Sequence, residues 1–299
     1  MKKIVILLAA LSLLAISCNK DSKWTVITTG SEPAVSSVTL SGKIDGALKS
    51  EDVTEVGFLV CREADMTGPV EEFSTSLNGD KTFSRKVTLA EFEGSRGRTY
   101  YYCAYAESSD GRHTGKVQSF SIKEVPAGAV DLGLDVFWAE CNLSDNGFVS
   151  SPEQYGDYYA WGETKSKSNY STSNYFYKDT PETLPLSADA AHAILGGDWR
   201  MPTKEELQTL LDNCTSVWTT QNGVNGRLFK SKINGKSIFF PAAGYRCDAS
   251  LDFAGSEGYY WSSSLTATGG AWSMDFYSGD VIWFDSNPFC GLSVRPVSE

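Results

Sequence analysis

Cysteines, two histidines, a group of late aspartates and a high share of aromatic rings are the residues of this 299-residue chain that could do chemistry. The histidines, His113 and His192, stand far apart, and neither has the neighbours of a catalytic triad or a zinc site in its own segment. No catalytic residue is expected, and the chain reads as a non-enzyme without a cofactor. Setting Cys18 aside, Cys61, Cys103, Cys141, Cys214, Cys247 and Cys290 remain. Six cysteines allow about fifteen pairings, and an even set suits an oxidising compartment. Pairing within domains leaves Cys61 with Cys103, and three arrangements of the other four. Asp275, Asp280 and Asp285 offer hard oxygen ligands in one region. Single aspartates at strand ends are more often turn formers, so no metal site is assigned. The rings are the strongest signal, because Phe, Trp and Tyr make up 12% of the chain. Tyr170, Tyr175, Phe176 and Tyr177 lie in a Ser/Asn-rich insertion, and Trp272, Tyr277, Trp283 and Phe284 surround a late hairpin. Flat exposed rings stack on sugars and anchor interfaces, so these eight are the candidate ligand-binding residues.

The elements that must position these residues fall into two groups. From residue 24 to about 123, short strand signals alternate with turn residues: SVTLSGKI from Ser37, TEVGFLVC from Thr54, KTFSRKVTL from Lys81, RTYYYCAYAES from Arg98 and KVQSFSI from Lys116. That spacing predicts an all-β sandwich, and the order resembles an immunoglobulin or fibronectin type III module. Period-two alternation puts Tyr100, Tyr102, Ala104 and Ala106 on one face, with Tyr101, Cys103 and Tyr105 on the other. If the TEVGFLVC strand is its neighbour, Cys61 and Cys103 share the outer face. Glu124 to Gly128 is the expected boundary, since Pro126 and Gly128 break strand pairing. Beyond it, from 129 to 299, helices precede strands. Thr203 and Glu206 form a capping box opening a helix with Leu207, Leu210 and Leu211 buried, and a shorter helix runs from Ala188 to Leu195. From Gly226 onward antiparallel strands are expected, with turns at Asn234 and Gly235 and at Ser278 to Asp280.

Residues 1–18 read as an export leader. Lys2 and Lys3 precede an apolar run too short to span a bilayer, which needs roughly 20 residues. Ala15, Ile16, Ser17 and Cys18 resemble a lipobox, which makes Cys18 the lipidation site. Several acyl chains on one residue anchor stably where one is marginal. The expected address is the outer membrane. Asn19, Lys20 and Asp21 make no acidic cluster, and surface display is preferred over a periplasm-facing anchor. The formal charge is −11, and losing Lys2 and Lys3 makes it more negative. An acidic surface without basic runs between aromatics excludes nucleic acid as a partner.

Six blocks keep a fixed order through the second half: VDLGLDVFWAECN from Val130, YGDYYAWGET from Tyr155, GGDWRMPTKEEL from Gly196, PAAGYR from Pro241, GYYWSSS from Gly258 and GLSVRPV from Gly291. Together they resemble the Fibrobacter succinogenes major paralogous domain, which is similar to the formylglycine-generating-enzyme branch of the C-type lectin-like fold. The resemblance implies an α+β C-type lectin-like domain after the sandwich, in a multidomain chain, with Trp138, Trp161, Trp199 and Trp261 as packing residues. That enzyme branch uses two cysteines a few positions apart, and no such close pair exists along this sequence, so its activity is not carried over. A disulfide between Cys247 and Cys290 is expected instead, together with Cys141–Cys214 and Cys61–Cys103. The calcium and sugar tripeptides of C-type lectins are absent: Ser286 to Phe289 and Trp272 to Asp275 lack the needed acidic and amide ligands. The resulting expectation is a lipid-anchored adhesion or binding protein recognising a glycan or a protein through its C-terminal domain. The competing reading is a structural or assembly subunit of a surface complex.

Overall fold

Alternating β-branched and aromatic residues favour strands, because such side chains pack well on a pleated surface. The computed structural model describes residues 24–299, so Cys18 lies outside the described residues. The first strands are β1 (Trp24–Pro33), β2 (Ser37–Gly46), β3 (Val53–Cys61), β4 (Glu71–Thr75), β5 (Thr82–Thr88), β6 (Thr99–Ser108), β7 (Gly111–Thr114) and β8 (Gln118–Ser121). They form one sheet in the order β1-β2-β5 and another in the order β4-β3-β6-β7, with β8 also on β6. Both are consistent with the expected all-β sandwich. Leu40, Phe58, Phe83, Tyr102 and Ala104 are fully buried, and the Phe58 and Phe83 rings from the two sheets lie 5.4 Å apart.

The β3–β6 pairing expected from sequence is present, but its register corrects the Cys61–Cys103 bridge. Cys103 stands opposite Leu59 and Cys61 opposite Tyr101. The two cysteines are therefore diagonal neighbours, about 7–8 Å apart in such ladders, where a disulfide needs about 4 Å between Cβ atoms. Both carry free thiols. Their face is not solvated either: Met66 packs with Leu59, Cys61, Cys103 and Tyr105 in a small apolar cluster. Burial pushes the Cys103 thiol up to about 11.

The chain divides into two compact units. One takes the described residues up to Glu32 with Thr39–Val87 and Thr99–Phe120, and the other takes Pro33–Val38, Thr88–Arg98 and Ser121–Glu299. The second unit continues with β9 (Ala129–Val130), β10 (Phe137–Ala139), β11 (Leu143–Ser144), β12 (Gly147–Phe148), α1 (Ala190–Leu195), β13 (Trp199–Arg200) and α2 (Lys204–Asn213). Then come β14 (Cys214–Gln221), β15 (Val224–Ser231), β16 (Ser237–Pro241), β17 (Tyr245–Cys247), β18 (Ser250–Asp252), β19 (Gly258–Leu265), β20 (Ala271–Phe276), β21 (Val281–Ser286) and β22 (Val297–Ser298).

The local signals act as expected. Thr203 and Glu206 close a capping box on α2, and Leu207 and Leu210 are buried, while Leu211 is half-buried. Asp189 caps α1 by accepting from His192 N (3.0 Å) and also accepts from Met201 N (2.8 Å). β15 and β16 pair across the Asn234–Gly235 turn, with Lys230 opposite Ser237. Antiparallel pairing begins earlier than Gly226, because β14 pairs with β15 across Asn222 and Gly223. Both of these turn residues have positive φ (47° and 83°), as a two-residue hairpin turn requires. The strands make two three-stranded meanders, β14-β15-β16 and β19-β20-β21, and β22 inserts between β13 and β10.

Arg295 holds the centre of this unit. It is fully buried, and among the described residues it hydrogen-bonds no carboxylate. Its guanidinium donates to Asn142 Oδ1 (2.9 Å), to the carbonyls of Glu140 (2.6 Å), Ala139 (3.2 Å) and Phe239 (2.9 Å), and lies 4.4 Å over the Phe240 ring. Asn142 in turn donates to Tyr155 O (2.8 Å) and Tyr260 Oη (3.1 Å). Buried backbone carbonyls are costly unless they are satisfied, and one planar fork satisfies three of them, at the end of β10, just after it and in β16. Trp138, Trp161 and Trp261 are buried in the two apolar clusters of this unit. Among the described residues no helix is long and apolar enough to cross a membrane.

Candidate functional site

One cleft opens on the β19-β20-β21 sheet, and strand registry decides which residues it receives. Tyr259 pairs with Asp275 and Asp275 with Ile282, while Ser273 pairs with Phe284. Residues directly opposed in a ladder share a face, so these side chains line one surface. The intervening Tyr260, Met274, Phe276 and Trp283 turn to the other side and join the apolar cluster there. Tyr245 and Cys247 from β17, with Cys290 and Leu292, supply the facing wall, and the cleft measures about 290 Å³. Gly244 allows β17 this position: it has φ +66°, and a Cβ there would meet Asp252 O at 2.1 Å.

The cleft mixes rings with carboxylates. Asp275 is 5% exposed and accepts from Ser273 Oγ (2.6 Å), which also contacts Ser286 Oγ (2.9 Å). Burial, reinforced by the nearby Glu257 charge, pushes Asp275 up to about 7 against the opposing Ser273 hydrogen bond. Tyr259 Oη donates to Glu257 Oε2. Burial and that carboxylate hold the Tyr259 phenol protonated well above its usual range. Tyr245 stands edge-on to Tyr259 with centroids 4.8 Å apart. Among the described residues, no Lys, Arg or His lines the cleft. A buried carboxylate with a like charge as neighbour and no cation partner is costly, and such groups gather at functional sites.

The cysteines separate into three cases. Cys247 and Cys290, distant in sequence, have their Sγ atoms 2.9 Å apart at the cleft wall and carry free thiols. The fold thus assembles the pair expected to bridge, with both sulfurs as thiols in this structure. Burial, then the Cys247 thiol, push Cys290 far up, which disfavours the thiolate that nucleophilic sulfur chemistry needs. Cys141 and Cys214, expected to pair, are not brought together. Cys214 packs with Leu207, Leu210 and Phe229, while Cys141 lies within the electrostatic reach of Arg295. The Cys61–Cys103 case is excluded by register as described above.

The eight candidate rings divide as well. Tyr277 and Phe284 are exposed (43% and 54%) and line the cleft. Phe176 is exposed and sits 5.7 Å from Lys167 Nζ. Tyr170 is a correction: it is fully buried, its hydroxyl donating to Tyr158 O, because the insertion folds inward onto Tyr158 and Ala243. Tyr175 and Tyr177 are half-buried; Tyr175 Oη donates to Trp161 O (2.9 Å), and Tyr177 packs edge-on against Trp161. Trp283 donates from Nε1 to Gln208 Oε1 (2.8 Å) and meets Trp272 edge-on, with Lys204 Nζ 3.3 Å from the Trp272 ring centroid. These two tryptophans fasten α2 to the sheet. The insertion and the hairpin thus do not combine into one exposed aromatic face. The alternation of VIWFDS separates Phe284 from Trp283 at sequence level, whereas Asp275 stood out only as a possible oxygen ligand and Glu257 and Tyr259 not at all, because nothing local marks a side chain as buried beside a cleft.

The histidines have structural partners, His113 packing 4.1 Å from the Trp24 ring and His192 Nδ1 lying 3.2 Å from Trp199 O. The three late aspartates do not converge: Asp275 faces the cleft, Asp280 accepts from Val281 N (2.8 Å), and Asp285 accepts from Thr266 (2.9 Å) and Thr268.

An acidic cleft on a β meander is the candidate site of the second unit, and it lies within the stretch that a known family matches. The chain belongs to the family described as the Lcl C-terminal domain, whose model matches residues 129–298. All six blocks noted in the sequence fall inside that match. No curated protein matches the chain. Among solved structures, the sensor domain of the anti-sigma factor RsgI4 of Pseudobacteroides cellulosolvens is 13% identical, covering 35% of this chain and 98% of that one with a TM-score of 0.28. A 1.5-MDa bacterial ice-binding adhesin, solved for its retention at the host cell surface, is 9% identical over 92% of this chain and 87% of that one, with a TM-score of 0.24. Scores this low carry no argument about function.

Proposed function

We propose that this chain is an exported, lipid-anchored binding protein of the outer membrane, displayed at the cell surface. Its C-terminal domain, of the C-type lectin-like kind, recognises a glycan or a protein ligand in the β19-β20-β21 cleft. The N-terminal immunoglobulin or fibronectin-like sandwich is a spacer. The observation that carries this reading is the cleft itself, where Tyr277, Ile282 and Phe284 stay exposed beside a buried polar group of Ser273, Asp275 and Ser286. A concave site of rings around a few converging polar groups is the usual form of a ligand pocket.

Phe284→Ala should weaken ligand binding by about 1–3 kcal/mol, measured against the best hit of a glycan array or a surface-protein panel. Its melting temperature should stay nearly unchanged, because the ring is more than half exposed. Full-strength binding by Phe284→Ala would remove the cleft from the recognition surface. The anchor is checked separately: Cys18→Ser should move the protein from the membrane pellet to the soluble exported fraction, and retention in the pellet would refute lipidation.

A further inference from the structure

We propose that the cleft is a cation site, taking the ammonium group of a small organic amine with Asp275 as its counter-ion. This rests on the recognition reading above and specifies its ligand chemistry. Three observations lead to it. First, the two carboxylates that line the cleft, Asp275 and Glu257, face no cation among the described residues, and Asp275 is more than nine-tenths buried with a single hydrogen bond, from Ser273. A charge held this far from water is costly until a partner of opposite sign arrives. Secondly, the walls beside it are ring faces and edges: Tyr245 and Tyr259 within the cleft and Phe284 at its mouth. Rings attract organic ammonium ions through their negative faces, and desolvation strengthens that attraction. A bare metal ion would want several oxygen ligands, and among the described residues no group of three or more His, Cys, Asp or Glu side chains is placed to hold one. Thirdly, the cavity of about 290 Å³ fits a small-molecule ligand and is too small for a helix or a strand.

Binding is coupled to protons. The titratable groups around Asp275 are Glu257, Tyr259, Tyr245, Tyr277, Cys247 and Cys290, and none of them is cationic. Only the ionised carboxylate serves as counter-ion, and burial keeps Asp275 protonated up to about pH 7. Amine binding therefore expels a proton below that pH. Affinity should rise by about tenfold per pH unit toward 7 and level off above it.

The test is calorimetric titration of the full-length protein with butylammonium and, separately, glucosamine, each against its neutral counterpart, butanol and N-acetylglucosamine. The pH series uses butylammonium, whose charge is constant across that range. Both amines should bind at least tenfold more tightly than their neutral counterparts. Asp275→Asn should weaken the amines tenfold or more, with Glu257→Gln weakening them less. A preference for amines shown by glucosamine alone also supports the site and identifies an amino sugar as the source of the ammonium group. Equal binding of neutral and charged members, no binding of either amine, or unchanged amine affinity in Asp275→Asn overturns it. Melting curves confirm that the isosteric Asn and Gln variants are folded. Neutral ligands found on the array that lose affinity in Phe284→Ala, without any amine binding, would leave the recognition reading standing and remove only the cation site.

Discussion

Arg295→Met should destabilise the second unit by about 3–5 kcal/mol, among the largest losses open to a single substitution in this protein. Methionine fills a similar volume but offers no donor. The carbonyls of Ala139, Glu140 and Phe239 and the amide oxygen of Asn142 would each lose a hydrogen bond from a guanidinium that is now fully buried. An unsatisfied buried acceptor costs about 1–3 kcal/mol, offset in part because a buried charge has also been removed. Arg295→Lys should fall short of rescue, since an ammonium cannot reproduce the planar fork. Guanidinium denaturation followed by tryptophan fluorescence reads this unit, because Trp24 is the sole tryptophan outside it. A loss under about 1 kcal/mol would show that water replaces the arginine and that the network is not what ties these segments together.

Asp275→Asn should do the opposite at alkaline pH, stabilising the folded protein at pH 8 by up to about 4 kcal/mol. In the folded chain Asp275 keeps its proton up to about pH 7. The unfolded chain releases it near the usual carboxylate value of about 4. Between these values the unfolded state binds fewer protons, so wild-type stability falls as pH rises through that window and flattens above it. The asparagine variant lacks this component. Asp189, also raised mainly by burial, contributes in the same direction in both proteins and cancels in the difference. Denaturation of both proteins at pH 5 and pH 8 isolates the effect. A difference that does not change with pH would show that water reaches Asp275, and the argument for its need of a counter-ion would fail. A carboxylate that costs stability at the wall of a cleft is a sacrifice that function explains better than folding does.

Much of this architecture was legible because it is written in short-range chemistry. The Thr203–Glu206 capping box and the alternation through Tyr100 to Ala106 depend on residues a few positions apart and formed as their spacing required, and the Asn234–Gly235 turn falls within a longer connection between Lys230 and Ser237. The order of the six blocks likewise pointed to a family domain starting near residue 129. What only the tertiary structure decided is which local faces meet. Alternation puts Phe284 and Trp283 on opposite sides of β21, but only the packing of α2 made the Trp283 side interior and left Phe284 to the cleft. The inward fold of the insertion buried Tyr170, and a register set over the whole β3–β6 ladder kept Cys61 and Cys103 out of bonding reach. Cys247 and Cys290 meet through β17 and the loop before Leu292, a long-range contact that no local rule encodes. The same is true of Asp275 and Arg295. A side chain's charge is visible in sequence, but its cost is set by the water removed from around it, and that depends on every element packed against it.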